Sequence, residues 1–237
     1  MPTNSFNNID GVNSNIIFCM WTGLNGMSAQ RINALWSIFN NTHCPVVFIN
    51  HISYKNWELK AYPFHEGFKY LSETHKSDYL RCYLMHHFGG GYTDLKLTQN
   101  SWIPFFENIR CSSKVALGYQ EIPGGIPHVS GPLGDEIRAN YKSVIGLCSF
   151  IFKRNTPLTR KWYDETHLVL DSKLEELRAN SAKHPQDQFG AVFEDGVISK
   201  YPLRWAQILG EIFHPIIYEN RSVIIQDNIA PIFHSYR

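Results

Sequence analysis

The sequence predicts an α/β fold in one domain, with a mostly parallel central sheet. The chain has 237 residues, of which 43% are hydrophobic and only 18% are charged. That length suits one large domain, and that composition suits a packed core without long disordered stretches. The first fifty residues follow the order strand, helix, strand, which is typical of parallel doubly wound sheets. We therefore expect one domain over residues 1–237, in which 1–14 form a loose lead-in.

The opening unit consists of two short apolar runs with a helical pattern between them. Residues 16–21 and 45–50 are apolar and of strand length, which favours buried strands. Residues 28–39 are predicted to be helical, because four apolar side chains recur there at i, i+3, i+4 and i+7. These side chains are Ile32, Leu35, Trp36 and Phe39.

A second helix and strand are predicted between residues 74 and 98. Apolar residues recur every four positions over 74–88, which predicts a helix. Three glycines at 89–91 then end it, because glycine accepts the left-handed conformation that a helix cap needs. Residues 92–98 alternate as a strand, with four side chains on one face. These side chains are Tyr92, Asp94, Lys96 and Thr98.

The remaining segments give weaker patterns. Residues 118–134 are rich in glycine and proline, which predicts a loop, and 144–152 resemble a strand. One or two helices are expected over 156–179. Late strands or extended segments are expected at 222–225 and 229–233.

Charge and cysteine content exclude several kinds of protein. A net charge of +1 gives no electrostatic footprint for nucleic acid. Five cysteines without a C-x-x-C pair argue against a disulfide framework or a cysteine zinc site. The polar start lacks the pattern of a signal peptide, and no apolar run has the length of a membrane span. We therefore expect a cytoplasmic protein without a transmembrane segment; its oligomeric state stays open.

Four charged residues around the glycine run carry the main chemical signal. Phosphate-loop, nucleophile-elbow and zinc-helix motifs are absent from the sequence, and its eleven histidines are scattered. Asp78 and Arg81 share a helix, whereas Asp94 and Lys96 share a strand. Carboxylates accept hydrogen bonds from sugar hydroxyls, and Arg and Lys neutralise phosphates. The alternative is a surface ion pair on the helix and a solvated strand face.

The segment K-S-D-Y-L-R-C-Y-L-M-H-H-F-G-G-G-Y-T-D-L-K, residues 76–96, resembles the S-D-x-x-R…G-G-x-Y-x-D-x-D core of sugar transferases with a DXD motif. These include glycosyltransferase family 32, the capsular polysaccharide synthesis proteins and, more distantly, the large clostridial glucosylating toxins. F-C-M-W-T-G at 18–23 and P-I-F-H-S-Y-R at 231–237 resemble the family more loosely. The resemblance implies a Rossmann-like GT-A domain that transfers a hexose or pentose. The donor would be a nucleoside-diphosphate sugar, with UDP as the expected nucleotide, and the acceptor a glycan or polysaccharide.

The resemblance also implies roles for individual residues. Trp21 would stack on the base, Asp78 and Arg81 would hold donor hydroxyls, and Asp94 would touch ribose and donor sugar. The expected nucleotide-sugar site comprises Trp21, Thr22, Asp78, Arg81, Tyr92, Asp94, Lys96, Gln188, His234 and Tyr236. Asp94, Lys96 and Asp187 are the expected catalytic residues. Asp135 and Glu136 are further candidates for a base.

Lys96 departs from the family pattern. The family has a metal-binding aspartate there, and an ammonium group cannot ligate Mn²⁺ or Mg²⁺. Either the enzyme needs no metal, with Lys96 as a fixed positive charge beside the diphosphate, or catalysis has been lost. In the second case the domain would be a nucleotide- or glycan-binding module. In a third alternative, a Glu or Asp from elsewhere in the chain restores the metal site. If a metal ion is bound, Asp94 and His234 are its expected ligands.

Overall fold

The computed structural model describes residues 9–234, which form a six-stranded mixed sheet flanked by seven α-helices. The strands are β1 (Ile17–Trp21), β2 (Val46–Asn50), β3 (Gly90–Thr93), β4 (Ala116–Gln120), β5 (Ile145–Phe152) and β6 (Ile224–Gln226). The helices are α1 (Ala29–Asn41), α2 (Glu73–His87), α3 (Ile103–Cys111), α4 (Gly131–Ala139), α5 (Pro157–Ser172), α6 (Leu174–Ala179) and α7 (Gly210–Glu219).

The strand order is β2-β1-β3-β5-β4-β6, and most neighbours run parallel. Parallel pairs join β1 to β2, β1 to β3 and β4 to β6, while β5 runs antiparallel to both of its neighbours. The predicted α/β class and mostly parallel sheet are therefore confirmed. The antiparallel insertion of β5 was not predicted, because a buried strand has the same apolar pattern in either direction.

Helix α2 and its glycine turn follow the prediction closely. Ser72 caps the helix by accepting a hydrogen bond from the His75 backbone N–H at 3.4 Å. At the other end Gly89 and Gly90 have φ values of +64° and +98°, which other residues rarely adopt. The chain thereby reverses directly into β3. The two glycines thus set the orientation of β3 relative to α2 at one short turn.

Strand β3 is shorter than predicted, because it ends at Thr93. The Asp94 backbone N–H still bonds to the Cys148 carbonyl of β5 at 2.8 Å. The chain then turns tightly, and the Lys96 N–H donates to the Asp94 carbonyl at 2.7 Å. The prediction of a strand over 94–98 is therefore wrong, although the side chains of Tyr92, Asp94 and Lys96 still meet.

Helix α1 is present, but its apolar row is not its buried face. Ala34 and Ile38 are fully buried, whereas Trp36 is 61% exposed and Ile32 and Phe39 are also exposed. The apolar periodicity therefore predicts the helix correctly, but it does not show which face of the helix packs against the core. The small Ala34 lets the helix approach the sheet closely.

The predicted loop at 118–134 is wrong at both ends. Gly118 lies inside β4, where a Cβ atom would come within 2.8 Å of Ile145 on β5, so glycine is required by close packing. Helix α4 begins at Gly131. Glycine content alone predicted a loop where these glycines belong to regular structure. Helices α3 and α7 were not predicted at all; α7 carries Pro215 in its interior.

The described part of the lead-in, residues 9–14, is packed rather than loose. The Gly11 N–H donates to the Phe88 carbonyl at 2.8 Å, and the Val12 side chain is buried. Arg154 and Arg110 donate to the carbonyls of Ile9 and Val12, each at 2.9 Å. Within residues 9–234, no helix combines the length and apolar character that a membrane crossing requires.

Candidate functional site

The candidate site is a cavity of about 590 Å³ beside the carboxyl ends of β1 and β3. From the central β1 the chain crosses first to β2 on one side and later to β3 on the other. Such a reversal opens a crevice at the strand ends, which is where open α/β sheets bind ligands. Trp21 at the end of β1 and Asp94 just after β3 both line this cavity.

Asp94 is the centre of a charged cluster in the cavity. Its Oδ1 atom accepts hydrogen bonds from Tyr92 Oη at 2.8 Å and lies 3.2 Å from Arg81 Nη2. Its Oδ2 atom lies 2.5 Å from Lys96 Nζ. Burial opposes ionisation, yet the charges of Arg81 and Lys96 hold the pKa of Asp94 well below its usual range. Asp94 is therefore a carboxylate at neutral pH.

Arg81 projects from α2 and connects both aspartates. Its Nη2 atom lies 3.6 Å from Asp78 Oδ1, and its Nη1 atom donates to the Leu147 carbonyl at 3.3 Å. The guanidinium carbon stands 4.5 Å from the centre of the Tyr92 ring. Burial alone would lower the pKa of Arg81, but Tyr92 and the two carboxyl groups raise it. The side chain is thus a fixed cation facing the cavity.

Asp78 lies beneath this cluster and not at the cavity surface. Burial raises its pKa to about 7, against the opposing charge of Arg81 and with a further increase from Asp94. The sequence correctly placed Asp78 beside Arg81. The structure gives it the position of a support for Arg81, since Arg81 lines the cavity and Asp78 does not.

Lys96 is also buried and is not among the residues that line the cavity. Its Nζ atom contacts Asp94 Oδ2 and, at 3.0 Å, Cys148 Sγ, and it stands 5.8 Å from the centre of the Phe233 ring. Burial lowers the pKa of Lys96, but Asp94 and Cys148 raise it above its usual value. Its charge therefore reaches the cavity through the Asp94 carboxylate.

Two tryptophans line the cavity. Trp21 is half-buried, and its indole N–H donates to the Asn25 carbonyl at 2.8 Å. Trp205 is 46% exposed. The neighbouring Thr22 hydroxyl already donates to the Glu73 carbonyl at 2.7 Å, so it joins β1 to α2.

The segment that carries Trp205 is anchored by His75 of α2. The His75 Nε2 atom lies 3.0 Å from the Arg204 carbonyl, which can only accept, so Nε2 carries the proton. The Nδ1 atom lies 3.0 Å from the hydroxyls of both Ser72 and Tyr201. Burial lowers the pKa of His75 to about 4, so this anchor is neutral at physiological pH. Trp205 is consequently held on a defined segment.

Arg31 is the main cavity residue that the sequence analysis missed. It lies in the first turn of α1, after the Ser28 cap, and its Nη1 atom donates to the Leu95 carbonyl at 2.7 Å. A helix N-terminus already favours anions, and Arg31 adds a cation there. One feature of the sequence could have indicated Arg31: a strand that ends at Trp21 is followed by a short turn and then by a helix with a capping serine. Ser77, Glu73 and His184 also line the cavity without having been predicted.

Several predicted site residues do not line the cavity. Asp187 is buried, and its oxygens accept from Ser199 Oγ at 2.6 Å and the Lys183 backbone N–H at 2.9 Å. Gln188 beside it is half-buried, and His234 is exposed. Tyr236 lies outside the described residues. The hydrogen bonds of Asp187 therefore stabilise its own loop, and its carboxylate does not reach the cavity.

The two further candidates for a base lie on α4. Asp135 pairs with Arg138 at 2.6 Å, and Glu136 accepts from Tyr218 Oη at 2.7 Å. Neither residue lines the cavity.

The side chains around Asp94 do not fit a divalent cation. Such ions need several oxygen ligands, and the groups that contact the Asp94 carboxylate are cationic or phenolic donors. In residues 9–234 no three His, Cys, Asp or Glu side chains come together as a metal-binding group. His234 is exposed, and no hydrogen bond or ion pair in the described part of the chain joins it to Asp94. The pair Asp94 and His234 is thus unsupported as a metal site.

The fold and the cavity together define an α/β protein with a polar crevice, lined by two arginines and two carboxylates, at a reversal of strand order. No model of a known protein family matches the chain, and no curated protein matches it.

Proposed function

We propose that the protein is a GT-A glycosyltransferase that transfers a hexose or pentose from a nucleoside-diphosphate sugar, with UDP as nucleotide, to a glycan or polysaccharide. The observation that carries the proposal is the composition of the cavity at the β1 and β3 ends. It combines an aromatic side chain at Trp21, the cations Arg31 and Arg81, and the carboxylate Asp94. Base, diphosphate and sugar hydroxyls each find a matching group there.

The charge of the site supports a diphosphate ligand. Arg31, Arg81 and Lys96 are cations in or directly behind the cavity, and Asp94 is the carboxylate at their centre. Glu73 at the rim is paired with Lys76 at 2.8 Å. Arg31 and Arg81 line the cavity and are the groups that would bind the two phosphates of a nucleotide sugar. The cavity volume of about 590 Å³ also falls in the range of small-molecule sites.

In this proposal no step passes through a metal ion. Arg31 and Arg81 bind the diphosphate, and Lys96 keeps Asp94 ionised so that its oxygens accept from ribose or donor-sugar hydroxyls. As the sugar–phosphate bond breaks, negative charge grows on the leaving phosphate. The fixed cations Arg31 and Arg81 stabilise that charge without reorganisation, and Lys96 contributes through its contact with Asp94.

The alternative is a catalytically inactive GT-A domain that binds nucleotide or glycan. One observation favours it: the Asp94 oxygens already contact Tyr92, Arg81 and Lys96. Among the described residues that line the cavity, the carboxylates are Asp94 and the paired Glu73. A base for the acceptor would then have to come from elsewhere.

Calorimetry with UDP and UDP-glucose tests the proposal, with and without Mn²⁺ and EDTA. Replacing Trp21 by alanine should weaken UDP binding by about 1–3 kcal/mol, the value of an aromatic platform under a base. The matched control is Trp36→Ala, because Trp36 is an exposed tryptophan outside the cavity. Equal effects of both variants, or no binding of nucleotide by the unmodified protein, would contradict the proposal.

A second measurement separates the enzyme from the binding module. UDP release is followed from a panel of UDP-sugars, first with water and then with oligosaccharides as acceptors. Release that depends on Arg81 supports the transferase. Binding of UDP-sugars without release from any donor supports the inactive module instead.

A further inference from the structure

A second, smaller groove adjoins the candidate donor cavity. It has a volume of about 330 Å³ and is formed by the start of α2, residues 69–72 before it, and residues 181–185. We call it the side groove. It shares Asn25, Glu73, His184 and Pro185 with the donor cavity, so the two spaces adjoin each other at the first turn of α2.

The walls of the side groove are fixed by backbone hydrogen bonds. The Ala182 N–H donates to the Tyr70 carbonyl at 3.0 Å, and the Thr74 N–H donates to the Pro185 carbonyl at 3.0 Å. These two bonds join Tyr70, which precedes α2, and the first turn of α2 itself to residues 182–185. The groove is therefore built in advance of binding, which lowers the entropic cost for a ligand.

The side groove is basic. Lys69, Lys76 and Lys183 line it, and of these Lys76 is neutralised by Glu73. Lys69 and Lys183 are exposed and belong to the two different segments that line the groove. Tyr70 adds an aromatic ring to the groove, and Lys69 Nζ lies 4.9 Å from the centre of that ring. Two cations beside an aromatic ring suit a ligand that presents an apolar ring face and an anionic substituent.

We propose that the side groove is the acceptor subsite and that it selects an acidic saccharide, carrying a carboxylate or phosphate group. The proposal rests on the function proposed above, because only a donor in the larger cavity makes the neighbouring ligand an acceptor. Tyr70 packs against the sugar ring, and Lys69 and Lys183 bind its anionic group. Because the two spaces share Glu73 and His184, an acceptor in the side groove lies next to the donor.

Three probes test the side groove by calorimetry: a galacturonic acid tetramer, the neutral glucose tetramer and glucose 6-phosphate. The double variant Lys69→Ala/Lys183→Ala removes the two exposed lysines. The control is Lys55→Ala/Lys60→Ala, which removes the same charge from exposed positions outside both cavities. Each probe is measured alone and with saturating UDP.

We expect the acidic tetramer to bind more tightly than the neutral one. The groove variant should weaken it by about three- to thirtyfold, as two exposed charge contacts of ordinary strength would. The control variant should leave its affinity within about twofold, and so should saturating UDP, because the two ligands occupy separate spaces. Glucose 6-phosphate responds in the same way if phosphate is the preferred anion, and stays weak if carboxylate is.

Three results would overturn the proposal. These are equal affinity for acidic and neutral tetramers, equal loss in both double variants, and displacement of the acidic tetramer by UDP. The last result would place the anion on Arg31 and Arg81 in the donor cavity. The proposed function is tested separately. If the protein binds the acidic tetramer at Lys69 and Lys183 but binds no nucleotide, the side groove is a saccharide-binding site and the proposed transferase activity is refuted.

Discussion

Replacing Lys96 by methionine removes one charge from the Asp94 cluster while keeping a side chain of similar length. Lys96 and Asp94 are both largely buried, and their charged atoms lie 2.5 Å apart. Removing one partner of a buried ion pair costs about 3–5 kcal/mol, because the remaining charge is left without compensation. Asp94 keeps Arg81 and Tyr92, so the lower end of about 3 kcal/mol applies here.

The loss should appear in unfolding by urea or heat, followed by tryptophan fluorescence. In a chain of this length about 3 kcal/mol corresponds to a decrease in Tm of roughly 6–12 °C. The control is Lys60→Met at an exposed position, which should change Tm by less than about 2 °C. A double-mutant cycle with Asp94→Asn isolates the pair from other effects of each substitution.

The pH dependence of this loss has a definite sign. The lowered pKa of Asp94 gives stability that is present above its unfolded pKa and is lost as the pH falls through the folded one. The raised pKa of Lys96 gives stability that is present below its unfolded pKa and is lost as the pH rises through the folded one. The difference between the unmodified protein and Lys96→Met should therefore be largest at neutral pH and shrink in strong acid or base.

Turnover tests the catalytic part of the reasoning. Lys96 does not line the cavity and acts through Asp94. Loss of its charge-assisted contact with that carboxylate, worth about 1.5–3 kcal/mol, predicts a decrease in turnover of at most roughly 10–150-fold in Lys96→Met. The unmodified enzyme should work in EDTA, and Lys96→Asp should make donor binding respond to Mn²⁺. The reasoning is refuted if EDTA abolishes activity of the unmodified protein and Mn²⁺ restores it, or if Lys96→Met keeps full activity and stability.

Three further substitutions test the roles assigned to neighbouring residues. Arg81→Ala should weaken UDP and UDP-glucose by similar factors in calorimetry, because both ligands carry the diphosphate that Arg81 is proposed to bind; a larger loss for UDP-glucose would place Arg81 on the donor sugar instead. The free energy of unfolding of the unmodified protein should fall by about 2–4 kcal/mol between pH 4 and 8, because Asp78, with a folded pKa of about 7, keeps a proton that the unfolded state loses. Asp78→Asn should remove this fall. This prediction is contradicted if the free energy of unfolding, measured by urea titration, changes with pH in the same way in both proteins. Asp187→Asn should cost about 1–3 kcal/mol of stability with unchanged UDP affinity; lost turnover with intact stability would restore its catalytic role.

The sequence by itself determined features that depend on neighbours along the chain. The cap at Ser72, the helix that follows and the glycines that end it are local, because capping, periodicity and positive φ act within a few residues. The same short range placed Asp78 and Arg81 one helical turn apart. It also placed Asp94 and Lys96 just beyond the glycine turn, and these four side chains meet in the structure.

Only the tertiary structure decided which residues share the cavity. Arg31 and Trp205 are far from Asp94 in sequence, and their presence depends on the packing of α1 and of the segment held by His75. Asp187 has the right chemistry in the sequence, but Ser199 and the Lys183 backbone bind its carboxylate away from the cavity. Likewise Gly118 could not be assigned to a strand until Ile145 was seen against it. Periodicity reports the conformation of a segment, whereas contacts between distant segments depend on the shape and volume of whole side-chain surfaces.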